Sequence, residues 1–275
     1  MTREKLQNIM DDFSDNSPLN YADEDSGLAG LRFFQHPFFS LTRADSPRFK
    51  DLRRPDVVGE HHLMPEDWLS GAKTVISIFL PYDRAVVDAN KKDPLEPAVE
   101  WVYTRIDGQR FLLALGDLIS DTLKSDGYNA ITPCTEERFI MRAGDDPAPG
   151  TEHIPKFSSN WSERHVGFAA GLGTFGISTN FISKYAGTAG RLLSIITDWE
   201  TTPDPIEYDD FLEYCNSCGV CIRRCPANAF YADKHGKDHS ICGQYIRKVS
   251  AKHTPRYGCG KCQSGLPCDY NTNPR

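Results

Sequence analysis

Eight of the chain's nine cysteines fall within one short stretch: Cys215, Cys218, Cys221, Cys225, Cys242, Cys259, Cys262 and Cys268. The residues before that stretch hold only Cys134. So dense a run of thiols leaves two outcomes, a disulfide framework or metal ligation. A chain of 275 residues can bury a core without covalent staples. The cluster therefore reads as metal binding, in a compartment that keeps thiols reduced.

Spacing selects the metal. Cys215-x2-Cys218-x2-Cys221-x3-Cys225-Pro226 has the spacing of a bacterial ferredoxin run. Three thiolates in one tight loop grip three corners of a cuboidal cluster, and the fourth points to a second cluster. Zinc usually takes two separated Cys-x2-Cys pairs, which this run does not provide. Eight thiolates match two [4Fe–4S] clusters. By the ferredoxin exchange rule, Cys215, Cys218 and Cys221 take their fourth ligand from Cys268, and Cys225 joins Cys242, Cys259 and Cys262. The second run, Cys259-x2-Cys262-x5-Cys268, is looser, and Gly258, Gly260 and Gly265 free the backbone to wrap a cluster. Cys134, after Pro133, is expected to be a small buried residue.

The rest of the chain is an ordinary globular mix with 39% hydrophobic residues and a formal charge of −7. No stretch approaches the ~20 apolar residues that span a bilayer as a helix. Residues 1–25 carry seven acids and two bases and no apolar core of a secretory signal, so a cytoplasmic protein is expected. Residues 1–60 read as an irregular wrap, with Phe33-Phe34 and Phe38-Phe39 as anchors. Thr74 to Leu80 and Arg191 to Thr197 read as buried strands. Residues 98–125 read as helical, interrupted at Gly108, and Tyr128 to Thr132 as a short strand. Ser162 to Ala170 reads as a helix. Pro203 and Pro205 mark a linker, and Asp209 to Tyr214 a short helix that delivers Cys215. Strands mixed with long helices, and no repeat, give an α+β core at 61–204 and a cysteine module at 205–275.

Gly171-Leu-Gly173-Thr-Phe-Gly176 matches the dinucleotide pattern G-x-G-x-x-G, but a helix precedes it where that fingerprint needs a strand. A tight turn, or a backbone approach to a large cofactor at Gly171, Gly173, Thr174, Phe175 and Gly176, fits better. Ser162-Glu-Arg164, Ala169-Ala-Gly-Leu-Gly173, Phe175-Gly176, Thr197-Asp198 and the two cysteine runs occur here in order. This series resembles the family of epoxyqueuosine reductases and reductive dehalogenases. Met64 to Tyr82 is similar to that family's N-terminal strand segment, and Cys242-Gly-Gln-Tyr245 to its isolated Cys-x-x-Tyr. The resemblance covers roughly residues 60 to 270. It implies a nitroreductase-like core that holds a cobalamin, beside a two-cluster ferredoxin-like module that feeds it electrons from a low-potential ferredoxin or flavodoxin.

The departures shape the expected substrate. The family's proposed acid lies six residues before its Glu-Arg pair, where this chain has Phe157. The family's second cysteine run ends in Cys-Pro, whereas Cys268 precedes Asp269. The helical tail of the tRNA enzymes is not present in this sequence. With the negative charge, these features lead to the expectation of a small-molecule substrate and no tRNA. Reductive cleavage needs a proton, and Tyr103, Arg105 and His165 are the candidates. The His61-His62 pair reads as a solvated loop. Without the Asp-x-His-x-x-Gly pattern, cobalamin is expected base-off and without a histidine ligand. A cobalamin-dependent reductase is the leading expectation. The alternatives are a two-cluster carrier or reductive activator of a partner protein, and an iron–sulfur flavoprotein with FMN.

The thiol count carries a direct test. Anaerobically reconstituted protein is expected to hold about eight irons and eight acid-labile sulfides per chain. Cys134→Ala should leave both figures unchanged, and a zinc-loaded protein would contradict the assignment.

Overall fold

The two longest apolar runs of the sequence become the two central strands of one sheet. The computed structural model describes residues 1–144 and 147–270. Its strands are β1 (Phe38–Arg43), β2 (Thr74–Pro81), β3 (Ala130–Ile131), β4 (Met141–Arg142), β5 (Ser158–Ser159), β6 (Gly173–Phe175), β7 (Phe181–Ser183) and β8 (Gly190–Thr197). Its helices are α1 (Arg3–Asn16), α2 (Pro47–Leu52), α3 (Pro65–Trp68), α4 (Arg84–Lys92), α5 (Val99–Ile106), α6 (Gly108–Ser125), α7 (Glu163–Ala169), α8 (Val220–Arg223) and α9 (His239–Ser250). The architecture is a mixture of helix and sheet. The main sheet has the order β1-β2-β8-β3, with every pair antiparallel.

Alternation along the strands divides the core in two. Ile76, Ile78, Leu80, Leu193 and Ile195 face one side, where Leu6 and Met10 of α1 and Phe111, Leu115, Ile119 and Leu123 of α6 cover them. Val75 and Ile196, which are register partners, face the other side with Phe49, Trp68, Trp161 and Val166. Both faces are covered, so β2 is buried at every residue and its sequence is nearly continuous in apolar side chains.

A row of serines crosses the second face. Ser40 pairs with Ser77, and Ser77 with Ser194, on three adjacent strands. All three are buried. Small side chains there leave room for α7 to lie close to the sheet. Ser40 donates to the Ala170 carbonyl at 2.7 Å just beyond its end. On the helix itself, a Cβ at Gly167 would stand 3.1 Å from the Phe181 ring.

Several expectations need correction. Residues 1–60 are not an irregular wrap. They contain the amphipathic helix α1, capped by Thr2, whose hydroxyl accepts from the Lys5 amide at 3.1 Å. They also supply β1, whose pairing with β2 completes one side of the sheet. Asp209 to Tyr214 forms turns rather than a helix. Cys215 is positioned there by the Tyr214 amide, which donates to the Thr174 hydroxyl at 3.1 Å. His62 is fully buried, stacked 5.2 Å from Trp161.

The glycine segment also has a definite role. It follows a helix and leads into β6, the reverse of a dinucleotide fingerprint. A Cβ at Gly173 would lie 2.2 Å from the Ile182 carbonyl oxygen across the β6–β7 hairpin. At Gly176 a Cβ would reach the Cys215 sulfur at 3.6 Å, so the hairpin abuts the first cysteine run. Gly173→Ala should therefore destabilise the protein by about 3 kcal/mol. It should also lower iron content, measured by thermal melting and iron assay on the same preparation.

Candidate functional site

The eight clustered thiols stand along two spaces. Cys215, Cys218, Cys221, Cys262 and Cys268 line a narrow cleft with Gly176 and Ser178, and Cys262 borders both spaces. Cys225, Cys242, Cys259 and Cys262 line a second, much larger cavity. Cys218 is exposed, and the other seven are half-buried. Burial pushes the Cys259 thiol up to about 11 and the Cys268 thiol up to about 12, the latter also through its neighbours Cys221, Cys215 and Cys218. Thiols gathered this way resist ionisation unless a cation compensates them. No three His, Cys, Asp or Glu side chains among the described residues converge as single-ion ligands. The donor set suits clusters, whose corners spread their sulfurs further apart than one ion does.

The core holds the cysteine loops by their backbone. Asn90, at the end of α4, donates to the Cys259 carbonyl at 3.1 Å. Asn180 donates to the Cys262 carbonyl at 2.8 Å. The Thr188 amide donates to the Cys268 carbonyl at 2.9 Å. Gly260 has φ of +68°, and a Cβ there would lie 2.0 Å from the Trp101 ring, so this loop sits directly on a core tryptophan.

The large cavity measures about 730 Å³, within the size range of small-molecule and cofactor sites. Phe79, Tyr82, Trp101 and Phe181 supply aromatic surface. Arg105, Arg142, Arg164, Arg191, Lys237 and Lys261 also line it, against a single carboxyl, that of Glu163. Phe157 stands at this cavity with φ of +62°; the residue is 37% exposed and its ring is stacked 5.0 Å from His239 of α9.

Helix α7 brings titratable groups to that wall. Both carboxyl oxygens of Glu163 are shielded from water and have no hydrogen-bond partner at normal distance. The Ser194 hydroxyl beside them already accepts from the Trp161 indole N–H at 2.8 Å. Burial raises the Glu163 carboxyl to about 7, so it keeps its proton close to neutrality. His165 lies 2.7 Å from the Ser162 hydroxyl. Burial, and then the Arg164 guanidinium, push His165 below its ordinary value and hold it neutral.

The sequence-based candidates fall in different places. Arg105 and His165 line the cavity, and Arg105 stacks over Tyr257 at 4.2 Å. Tyr103 does not line it; its hydroxyl reaches the Ser26 carbonyl at 3.4 Å, and Arg256 covers its ring at 3.6 Å. Gly171, Gly173, Thr174 and Phe175 line neither space, and Gly176 lines only the cleft. Glu163, the carboxyl on the cavity wall, is not among the sequence-based candidates. Its signal was a lone acid between Trp161 and Val166, both of which are buried. Cys134 is half-buried, its thiol pushed up to about 12.

No family model matches the chain. An epoxyqueuosine reductase of Bacillus anthracis is 26% identical over 241 residues, which are 81% of this chain and 56% of that protein. One from Leadbetterella byssophila is 24% identical over 233 residues, 78% of this chain and 65% of that protein. The chain is similar in sequence to these epoxyqueuosine reductases. It spans 56% and 65% of the length of these two relatives, which are oxidoreductases by name. In fold it is similar to an epoxyqueuosine reductase solved with an epoxyqueuosine-modified tRNA-Tyr stem loop. That match has a TM-score of 0.50 and 21% identity, over 84% of this chain and 61% of the other. A catabolic reductive dehalogenase matches 98% of this chain and 36% of its own, with a TM-score of 0.54 and 11% identity.

The expectation of a small-molecule substrate and no tRNA is overturned by these relatives, one of which is solved with a tRNA stem loop. The physical error was to read a local property from a global sum. The charge of −7 is a sum over the whole chain, whereas six cationic side chains line the cavity. No helix of the described residues is long and apolar enough to cross a membrane.

The buried acid gives a stability test. A carboxyl raised to about 7 stabilises the fold in its protonated form. That contribution is full below the ordinary carboxylate pKa and is lost as pH rises through about 7. Glu163→Gln cannot ionise, so it escapes the loss. Relative to the parent, the variant should gain roughly 2–3 kcal/mol between about pH 5 and about pH 8 in denaturant titrations.

Proposed function

We propose that this chain is a cobalamin-dependent iron–sulfur reductase whose electrons and proton meet in the large cavity. One observation carries the reading: Cys225, Cys242, Cys259 and Cys262 line the same cavity as Glu163 and His165. A bare electron carrier has no use for such a space. In this reading residues 61–204 form a nitroreductase-like core and residues 205–275 a double [4Fe–4S] module, in a cytoplasmic protein. Cys215, Cys218, Cys221 and Cys268 hold one cluster. Cys225, Cys242, Cys259 and Cys262 hold the other.

The donor chemistry fits each group. The first four thiols include exposed Cys218, a suitable entry point for electrons from a low-potential ferredoxin or flavodoxin. The second four adjoin the cavity, where aromatic side chains offer flat surface and cations offer partners for amide and phosphate oxygens. Bound there, cobalamin supplies low-potential reductive chemistry at its cobalt. The protein excludes water, orients the substrate and holds a proton. Glu163, protonated near neutrality, is the proton donor on this reading, with His165 and Ser162 beside it on α7 and Arg105 orienting the substrate. Phe157 offers a ring on which a flat base can stack. The substrate to test first is epoxyqueuosine in tRNA, the one its relatives' name carries.

The test is anaerobic reconstitution with iron, sulfide and hydroxocobalamin, followed by an assay on epoxyqueuosine-containing tRNA with a low-potential reductant. Retention of the corrinoid and formation of queuosine support the reading. Retention of FMN instead would make the protein a flavoprotein, and retention of neither a two-cluster carrier. Turnover should fall as pH rises through about 7. Glu163→Gln should lose that dependence together with about 10²-fold in rate. Base-off cobalamin without a histidine ligand should show no histidine nitrogen splitting in its cob(II)alamin EPR spectrum.

A further inference from the structure

Lys261 is the most deeply buried cation among the described residues of the cysteine region. It is 1% exposed, although it stands between Cys259 and Cys262 in a loop. Its ammonium donates to the Asn90 carbonyl at 2.6 Å and reaches the Asn90 side-chain oxygen at 3.3 Å. Among the described residues no carboxylate lies within ion-pair distance of it. Asn90 is itself fully buried and is held by the Ala98 amide, Ser264 and the Cys259 carbonyl. The lysine is therefore fixed in one place by a rigid acceptor. Two neutral acceptors do not repay the burial of an ammonium, which costs several kcal/mol unless an anion compensates it. Asp93 attracts it from beyond ion-pair distance, yet burial still outweighs that attraction and holds the ammonium below its ordinary value.

The flanking residues supply the missing anion. A [4Fe–4S] centre with four thiolates is negatively charged, and gains one further negative charge on reduction. A fixed cation nearby stabilises the reduced form more than the oxidised form, and burial keeps that attraction from being screened. We propose that Lys261 is the built-in counter-charge of the cluster at Cys225, Cys242, Cys259 and Cys262, raising its reduction potential so that electrons run toward the cavity. The step is a one-electron transfer: the cluster at Cys215 is oxidised as the cavity-side cluster is reduced, and the external donor restores the first. This rests on the cluster assignment made above, and the experiment separates the two.

The experiment is an EPR-monitored redox titration of the reconstituted full chain, with iron content measured on each sample. The variants are Lys261→Met, which keeps length without charge, and Lys261→Arg, which keeps the charge. In Lys261→Met, one of the two midpoints should fall by at least a tenfold change in its reduction equilibrium, which is 59 mV for one electron. The other midpoint should stay within about threefold, and Lys261→Arg should hold both near the parent's values. If Lys261→Met loses one cluster while Lys261→Arg keeps it, the need for charge at this position is equally supported. Two loaded clusters with unmoved midpoints in Lys261→Met would overturn the proposal. So would loss of the cluster in both variants, which would make the side chain's shape the requirement. A parent protein without two clusters would instead remove the assignment on which the proposal rests.

Discussion

Three carbonyl oxygens tie the cysteine region to the sheet domain, and the site depends on them. Those of Cys259, Cys262 and Cys268 are each held by a donor from the core, namely Asn90, Asn180 and the Thr188 amide. A loop rich in glycine and cysteine has little apolar surface with which to anchor itself, so its backbone must be fixed by hydrogen bonds. All three donor residues are buried, where a hydrogen bond is stronger and its loss leaves an unsatisfied polar group. With these tethers, four thiols become part of a cavity wall that the core also builds.

The opposite demand is met by the sheet. A buried carboxyl such as Glu163 is costly, and its cost rises with every hydrogen bond it fails to make. The serine row at Ser40, Ser77 and Ser194 lets α7 lie close enough to place that acid under the cavity wall. Burial there outweighs what the neighbouring Ser194 offers the carboxylate, and the carboxyl is raised to about 7. Packing on one face of the sheet thus sets the protonation state of a group on the cavity. A change in the size of these serines would alter chemistry as well as stability.

Charge illustrates why local arrangement outranks totals. The chain is acidic overall, yet the cavity gathers arginines and lysines from α5, α7, β8 and the cysteine loops. These elements are far apart in sequence, so no single window along the chain contains this group of cations. The same holds for aromatic character, since Phe79, Trp101 and Phe181 meet only after the sheet, α5 and the β6–β7 hairpin have packed together. Phe157 takes its place beside His239 only when residues on either side of the core are joined.

Alternation and spacing are local properties, and they were legible in advance. Val75 to Leu80 and Leu192 to Ile196 had to be buried strands, because their apolar side chains recur on both faces. The Gly108 break, helix α7 and the set of eight thiols were readable for the same reason. The N-terminal segment misled because its acidic residues obscured a helix whose apolar face needs α6 as a partner. The glycine segment misled because its pattern is shared by loops that cradle ligands and hairpins that pack closely; only the 2.2 Å approach at Gly173 separates them. Sequence alone determined how many thiols there are and how they are spaced. Tertiary structure decided which of them border a cavity, which acid keeps its proton and where the positive charge collects, because burial and electrostatic fields are sums over neighbours in space.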